Sequence, residues 1–275
     1  MNNKKPIGKV ILAGAGPGDP DLVTYKTLKY LRIADVILVD RLVSSEILKL
    51  HASKKAEIIH VGKQCSLGLS TSQSTINELL VDYALAGKLI VRLKGGDVSI
   101  FSNILDELQI LKEHHIPYEI IPGVTAALGA AAYTGIPLTA RGYSTSVRFL
   151  TFYNSNILSE EYWKDLATTN DTLVFYMSSG TLKTVVKKLL NLNIEKEKLL
   201  AIVEEATTPF QKIHTLRFDD YENNLSNYKF KSPSIIIIGK VVALQNDFTW
   251  FKSIISNENY FDSVNSEVLD IKLTA

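Results

Sequence analysis

The stretch Lys9-Val-Ile-Leu-Ala-Gly-Ala-Gly-Pro-Gly-Asp-Pro20 joins a short apolar run to a dense cluster of glycine and proline. The apolar run predicts a buried β-strand, and the glycine cluster predicts a sharp turn at the carboxyl end of that strand. A helix is expected from Asp21 onward, and Val36-Ile-Leu-Val39 predicts a second strand that ends at Asp40-Arg41. Strand, helix and strand in this order predict a βαβ unit, which builds parallel sheets.

The same order of strand, turn and helix recurs as far as Pro137. The further predicted strands are Glu57–Val61, Lys88–Lys94 and Pro117–Ile121, and the further predicted helices are Ile76–Leu85, Ile100–His114 and Thr125–Tyr133. We therefore expect an α/β fold whose first domain, residues 1–142, is a mostly parallel sheet with helices on both faces.

Beyond Pro137 strands dominate, and one clear helix, Thr181–Leu190, lies among them. The predicted strands are Ser146–Phe152, Thr172–Met177, Leu199–Val203, Gln211–Phe218 and Ser234–Ile238. We expect a second, mixed α/β domain over residues 143–245. The polar tail, residues 246–275, is open to two interpretations, since it could fray or pack on a partner subunit.

Composition excludes several classes of protein. The chain has 275 residues with 30 Lys+Arg against 29 Asp+Glu, and 46% of it is hydrophobic. A nearly neutral balance disfavours nucleic acid and anionic membranes as partners, and the apolar content disfavours disorder. The single Cys65 allows no internal disulfide and no cysteine-based metal cage. No apolar run approaches the ~20 residues of a membrane span, so we expect a cytoplasmic protein. Because the chain has a single cysteine, we also expect it to bind no metal.

Four turns are expected to share one edge of the first sheet, because parallel strands place their carboxyl ends together and ligands bind there. These turns are Gly14–Asp19, Asp40-Arg41, Gly95–Asp97 and Pro122–Thr125. The first turn lacks the Gly-x-Gly-x-x-Gly spacing of dinucleotide-binding proteins, and Asp19 and Asp97 add negative charge where phosphates would lie. A cationic ligand without phosphate, such as S-adenosylmethionine, suits this edge better.

Seven blocks of sequence, in order between Lys9 and Leu244, carry a resemblance to a known family. They are Gly14-Ala-Gly-Pro-Gly-Asp-Pro20, Asp40-Arg-Leu-Val-Ser44, Val61-Gly-Lys63, Val91-Arg-Leu-Lys-Gly-Gly-Asp97, Pro122-Gly-Val-Thr-Ala-Ala127, Ala132-Tyr-Thr-Gly-Ile-Pro-Leu-Thr139 and Leu173-Val-Phe-Tyr-Met177. With these blocks the chain resembles the uroporphyrinogen-III C-methyltransferases of the tetrapyrrole methylase superfamily.

The resemblance implies a homodimer of two-domain subunits that bind S-adenosylmethionine in the cleft between the domains. It implies conversion of uroporphyrinogen-III to precorrin-2 by two successive methylations, with S-adenosylhomocysteine as product, feeding siroheme and cobalamin synthesis. The implied cofactor-binding residues are Pro17, Gly95, Gly96, Asp97, Ile100, Thr125, Ala126, Met177 and Ala206. Glycines in this set would let the backbone approach the ligand.

Asp40 and Lys63 correspond to the proton acceptor and proton donor of the family. We expect Asp40 to accept the proton that the methylated ring loses, and Lys63 to donate a proton or to fix a substrate carboxylate. A structural ion pair between Asp40 and Arg41, with Lys63 solvated, is the alternative. Because the substrate has eight carboxylates, a basic wall is expected; its first candidates are Arg41, Arg141 and Arg148, followed by Arg92, Lys94 and Lys212.

The chain departs from the family after Asp97. The family usually continues Pro-Phe-Ile-Phe-Gly-Arg-Gly-Gly-Glu-Glu, whereas Val98–Glu107 reads Val-Ser-Ile-Phe-Ser-Asn-Ile-Leu-Asp-Glu and lacks the arginine and the glycines. Ala206 also replaces a usual glycine. Three alternatives therefore stay open: another tetrapyrrole or corrin C-methyltransferase, an RNA or protein methyltransferase of the same superfamily, and a paralogue that binds S-adenosylmethionine without turnover.

Overall fold

The computed structural model describes residues 6–64, 69–152, 158–256 and 258–261. They divide into two compact units. The first unit runs to Val124 and includes Phe261, and the second is Thr125–Tyr260. The domain boundaries predicted from sequence, 1–142, 143–245 and 246–275, stay a prediction. The compact units divide the chain at other positions: the helix after Thr125 and the tail up to Tyr260 belong to the second unit, and Phe261 to the first.

The first unit is built on one parallel sheet, as predicted. Its elements are β1 (Lys9–Gly14), α1 (Tyr25–Leu31), β2 (Val36–Val39), α2 (Ser45–His51), β3 (Glu57–His60), β4 (Lys63–Gln64), β5 (Leu69–Ser70), α3 (Gln73–Leu85), β6 (Leu89–Lys94), α4 (Ile104–Glu113) and β7 (Tyr118–Ile121). The strand order is β3-β2-β6-β1-β7, and every pairing is parallel. β4 and β5 form a separate antiparallel pair.

The three central strands of this sheet, β2, β6 and β1, are buried on both faces. Alternate residues of each strand point to opposite faces. Ile37 of β2 packs in one apolar cluster with Leu31 of α1 and Ile47 of α2. Leu38, its neighbour in sequence, packs in another cluster with Leu80 of α3 and Leu111 of α4. The continuous apolar strands of the sequence therefore reflect helices on both faces.

The second unit contains a mixed sheet. Its elements are α5 (Ala126–Thr134), β8 (Val147–Thr151), α6 (Glu160–Thr168), β9 (Thr172–Tyr176), α7 (Leu182–Asn191), β10 (Leu199–Glu204), β11 (Lys212–Arg217), α8 (Tyr221–Asn224), β12 (Ser234–Gly239) and α9 (Gln245–Phe248). The order is β11-β10-β12-β9-β8. Only β8 and β9 pair in parallel within this sheet; the other three pairings are antiparallel.

Two predicted helices begin later than expected. The helix predicted from Ile100 begins at Ile104, since Phe101 and Asn103 have φ angles of 50° and 54°, which a right-handed helix does not allow. The helix expected from Asp21 onward begins at Tyr25, after a short 3₁₀ turn. Sequence reasoning missed α2 and α6 altogether.

The described part of the tail packs on its own unit. The indole N–H of Trp250 donates to the Ala132 carbonyl at 2.7 Å, and the Trp250 ring lies 5.2 Å from the Tyr133 ring. The backbone N–H of Tyr260 donates to Glu205 Oε1 at 2.8 Å. These contacts tie Trp250 and Tyr260 to the second unit.

Candidate active site

The four predicted turns do share one edge of the parallel sheet. They follow β1, β2, β6 and β7, which are neighbours in the order β2-β6-β1-β7. The backbone N–H of Asp40, the first residue after β2, donates to the Leu93 carbonyl of β6 at 3.0 Å. The edge therefore gathers the glycine turns and Asp40 as the sequence predicted.

Three glycines of this edge pack against each other's backbone. A Cβ on Gly123 would lie 2.2 Å from the Gly96 carbonyl oxygen, and one on Gly14 would lie 2.6 Å from the Gly123 nitrogen. Gly96 also exchanges two backbone hydrogen bonds with Gly16, at 2.7 and 3.2 Å. Close packing of loops, in addition to the expected approach of a ligand, thus requires glycine here.

A cavity of about 260 Å³ opens beside Asp40 in the first unit. Charged, polar and apolar side chains share its lining: Asp40, Arg41, Leu42, Val61, Gln73, Ile76, Arg92, Lys94, Gly95, Ile100, Phe101, Ser102 and Asn103. Asp40 Oδ1 accepts a hydrogen bond from Arg92 Nη2 at 2.6 Å, and the Asp40 side chain is 27% exposed. The carboxylate is therefore held on one side and open on the other.

Arg41 is the neighbour of Asp40 in this lining and lacks such an anchor. Its Nε is buried and has no hydrogen-bond partner among the described residues. Burial lowers the pKa of Arg41 from its ordinary value. A buried donor without an acceptor is costly, so this guanidinium has the chemistry to receive a carboxylate from a ligand.

Lys63, the predicted proton donor, begins β4, and its side chain lies outside the described part of the chain. The backbone just before it passes next to the Asp40-Arg41 turn. A Cβ on Gly62 would lie 2.7 Å from Arg41 Cβ. The structure thus brings the Lys63 backbone near the cavity.

Arg92 and Lys94, expected among the cations of a substrate wall, are instead engaged inside the first unit. Both pair with Glu107 of α4: Arg92 Nε lies 2.9 Å from Oε1, and Lys94 Nζ lies 2.8 Å from Oε2. Burial alone would lower the pKa of Arg92, but Asp40 and Glu107 raise it above its ordinary value. Burial lowers the pKa of Lys94 despite Glu107. Sequence reasoning missed Glu107.

The predicted cofactor residues of the first unit lie in the turns at this edge. Pro17 is buried in the turn after β1, and Gly95 follows β6. Asp97 accepts the backbone N–H of Ser99 at 2.7 Å and that of Gly123 at 2.9 Å, so its carboxylate fastens two turns together. Ile100 lines the cavity beside Asp40.

The predicted cofactor residues of the second unit also lie at one edge of a sheet. Since β9 and β10 both run antiparallel to β12, their carboxyl ends meet, and Met177 and Ala206 follow those ends. The Met177 side chain is 59% exposed, whereas Ala206 is buried. Thr125 and Ala126 begin α5, where Thr125 Oγ1 lies 2.7 Å from the Tyr176 hydroxyl.

Tyr176 is a residue that sequence reasoning missed, although it directly precedes Met177 in one of the matched blocks. Its buried hydroxyl accepts the N–H of Ala127 at 3.1 Å. Thr125, the residue before α5, makes no capping hydrogen bond of its own. The phenol therefore serves as the acceptor for the first turn of α5 and fixes Thr125 beside Met177.

The remaining predicted cations differ in their surroundings. Arg141 is exposed on a turn. Arg148 donates to both Asp165 and Asp171, which raise its pKa, and this pairing favours a structural role over the expected substrate contact. Lys212 Nζ donates to the Tyr228 hydroxyl at 2.9 Å.

Two other kinds of feature are absent from the described residues. No cluster of three or more histidine, cysteine, aspartate or glutamate residues capable of holding a metal ion occurs among them. Within the same part of the chain, no helix is long and apolar enough to cross a membrane.

The chain is also similar to known proteins. The family model of the Tetrapyrrole (Corrin/Porphyrin) Methylases matches residues 9–221. The chain belongs to this family. Its predicted membership of the tetrapyrrole methylase superfamily is thereby confirmed.

Relatives extend the match beyond the family model. The siroheme synthase of Vesicomyosocius okutanii subsp. Calyptogena okutanii is 41% identical over 253 residues, which cover 91% of this chain and 54% of the relative. The siroheme synthase of Acinetobacter baylyi is 43% identical over 245 residues, covering 89% and 53%. This methylase-family chain thus spans about half the length of the relatives it matches.

Solved structures share the fold. Uroporphyrin-III-C-methyltransferase from Thermus thermophilus superposes with a TM-score of 0.73 at 32% identity, covering 89% of this chain and 98% of that one. A crystal structure of the same enzyme complexed with S-adenyl homocysteine gives 0.70 at 33% identity, covering 86% and 100%. A cobalt precorrin-4 methyltransferase gives 0.75 at 29% identity, covering 85% and 95%. The predicted α/β fold class is confirmed.

The chain's own residues fit S-adenosylmethionine in charge and surface. Each carboxylate oxygen of Asp97 accepts one backbone N–H. The side chain also places a negative charge at this edge, which suits a cationic ligand. In the second unit, the exposed Met177 offers apolar surface of the kind that an adenine contacts. A ligand with a sulfonium and no phosphate matches the negative charge of Asp97.

Proposed function

We propose that this methylase catalyses the S-adenosylmethionine-dependent C-methylation of uroporphyrinogen-III to precorrin-2, in two successive steps that feed siroheme and cobalamin synthesis. The observation that carries the proposal is the Asp40 carboxylate, held by Arg92 at 2.6 Å and open on its other side to a cavity of about 260 Å³. Family membership and the likeness to a uroporphyrin-III methyltransferase support the choice of substrate.

S-adenosylmethionine supplies the methyl group to an electron-rich pyrrole carbon, and S-adenosylhomocysteine leaves. The chain's residues position the reactants and manage the proton. Asp40 accepts the proton that the methylated ring must lose to regain a neutral conjugated system. Lys63 donates a proton or fixes a carboxylate. Positioning contributes the larger share, since effective molarity can supply ~7–11 kcal/mol, whereas one proton-transfer group adds ~10²–10⁴-fold.

The cofactor-binding residues of the proposal are Pro17, Gly95, Gly96, Asp97, Ile100, Thr125, Ala126, Met177 and Ala206. Substrate carboxylates would meet Arg41 in the cavity and Arg141 on its exposed turn. The buried, unpartnered Nε of Arg41 supports this assignment, because a bound carboxylate would satisfy it. A cavity of about 260 Å³ admits a carboxylate side arm rather than a whole macrocycle.

The test is a spectral assay for precorrin-2 with uroporphyrinogen-III and S-adenosylmethionine, joined to calorimetric binding of S-adenosylmethionine. Asp40→Asn should lower turnover by about 10²–10⁴-fold and leave cofactor binding unchanged. Asp82→Asn, an exposed aspartate on α3, is the matched control. Full turnover by Asp40→Asn would remove Asp40 from the chemistry, and cofactor binding by the parent chain without any product would mark a paralogue that has lost turnover.

A corrin-ring substrate is the second candidate. The TM-score of 0.75 with a cobalt precorrin-4 methyltransferase favours it, as does the altered segment Val98–Glu107. Product from a corrin-ring precursor, with none from uroporphyrinogen-III, would decide for it. The proposal also includes a homodimer in the cytoplasm, which light scattering and cell fractionation test directly.

A further inference from the structure

Four charged side chains lie together beneath the proposed site: Asp40, Arg92, Lys94 and Glu107. The Arg92 side chain is 3% exposed, that of Lys94 4%, and that of Glu107 0%. Arg92 stands in the centre of the sheet, where its neighbours in register are Leu12 and Leu38. Two positive and two negative charges balance, so the group is neutral as a whole.

Stability does not explain why charge occupies this apolar layer. Replacing a buried ion network with apolar side chains of similar volume is often neutral or stabilising. A network of this kind therefore indicates a role in placing a group, and Asp40 is its one member that is substantially exposed, at 27%. The network ends at the carboxylate that opens into the cavity.

The contacts of Arg92 show how that placement is achieved. Its Nη2 donates to Asp40 Oδ1 at 2.6 Å, while its Nε donates to Glu107 Oε1 at 2.9 Å. Its Nη1 lies 3.4 Å from the carbonyls of Leu38 and Leu93, on the two strands that flank the site. One planar guanidinium thus joins Asp40, the end of β2 and α4, which no ammonium group could do.

We propose that Arg92 is a positioning residue for Asp40, and that Glu107, anchored by Lys94, fixes the orientation of Arg92. The inference rests on the proposed role of Asp40 as proton acceptor. Arg92 touches no reacting atom; it fixes the position of the carboxylate that lines the cavity. Lys94 supplies the second cation that pairs with the fully buried Glu107.

The test uses the full chain with S-adenosylmethionine and uroporphyrinogen-III under single-turnover and steady-state conditions. Arg92→Lys keeps the charge but cannot span Asp40 and Glu107 together, so kcat should fall about 10- to 100-fold. The KM and the calorimetric Kd for S-adenosylmethionine should stay within about twofold. The charge-balanced pair Arg92→Gln with Glu107→Gln should lose kcat similarly while keeping a cooperative melt.

A double-mutant cycle separates positioning from structure. In the Asp40→Asn background, Arg92→Lys should slow single turnover by less than about twofold, because Arg92 acts only through Asp40. Lys198→Gln is the control for loss of a buried cation; Lys198 donates to Ala167 and Thr169 carbonyls in the second unit, and its variant should lower the Tm with kcat unchanged.

The following outcomes would count against the inference. An Arg92→Lys enzyme with parental kcat overturns it, and so does a loss that multiplies fully with that of Asp40→Asn. If Asp40→Asn itself keeps parental kcat, the proposed role of Asp40 fails and takes the inference with it. An inactive Asp40→Asn beside an active Arg92→Lys refutes the positioning role alone.

Discussion

Replacing Gly123 with alanine tests the close packing of the glycine turns. The new Cβ would lie 2.2 Å from the Gly96 carbonyl oxygen. Ordinary contact begins at 3.4 Å, so these two atoms must move apart by 3.4 − 2.2 = 1.2 Å. Both partners are backbone, and the Gly14 Cα stands only 2.9 Å away on another strand. Neither neighbour can rotate aside as a side chain would.

The expected loss follows from this geometry. Overpacking a tight site costs about 1–3 kcal/mol, and contact with backbone places Gly123→Ala near the upper end, at about 3 kcal/mol. A loss of 1 kcal/mol lowers the Tm of a domain of this size class by about 2–4 °C, which gives a fall of about 6–12 °C. The urea midpoint should fall in parallel, with the m-value unchanged.

Two other glycines provide matched controls. A Cβ on Gly180 meets nothing within 4 Å, so Gly180→Ala should leave the Tm within about 2 °C of the parent. Gly142 has equally open surroundings but a φ of +85°, so Gly142→Ala isolates backbone strain at about 1 kcal/mol. If Gly123→Ala and Gly180→Ala have the same Tm, backbone packing is not what requires glycine at this edge.

Two further predictions concern single side chains. Tyr176→Phe removes the acceptor of the buried Ala127 N–H, so the free energy of unfolding should fall by about 1–3 kcal/mol; an unchanged urea midpoint and unchanged amide exchange at Ala127 would contradict this. Hydrogen bonds from Lys26 and then Lys9 hold the pKa of Glu119 to about 2, against an ordinary 4.5. A lowered carboxylate pKa gives stability that is complete above pH 4.5 and is lost as the pH falls toward 2, so the urea midpoint of Glu119→Gln should fall less steeply over that interval than the parent's, and parallel curves would refute the assignment.

The sheets were predictable because their signal is local. Each parallel strand is a short apolar run closed by glycine, so Val36–Val39 could be assigned from its own residues and its neighbours. The start of α4 was not predictable in this way. Ile100 and Ile104 share a helical spacing, but the left-handed backbone at Phe101 and Asn103 is set by the packing of the turn after β6. The helical spacing of the apolar residues does not indicate this backbone constraint.

Ion pairing was the least predictable feature, and it changes how the cations of the cavity are counted. The sequence offers Arg41 among its first candidates for substrate carboxylates, and Arg92 and Lys94 after it. In the folded chain Arg92 pairs with Asp40 and Glu107, and Lys94 pairs with Glu107. Glu107 lies on α4, more than ten residues from either cation in sequence, so no spacing rule selects it.

The number of cations that remain to bind a ligand is therefore smaller than the composition implies. Asp40 and Glu107 neutralise Arg92 and Lys94, so within the described lining of the cavity Arg41 is the cation without a carboxylate partner. One unbalanced guanidinium suits one carboxylate of the proposed substrate. The other carboxylates must then meet cations elsewhere, and the asparagine at position 103, where the family usually has arginine, removes one of the nearest. For the proposed function, these charges therefore predict a changed pattern of carboxylate recognition rather than a changed reaction.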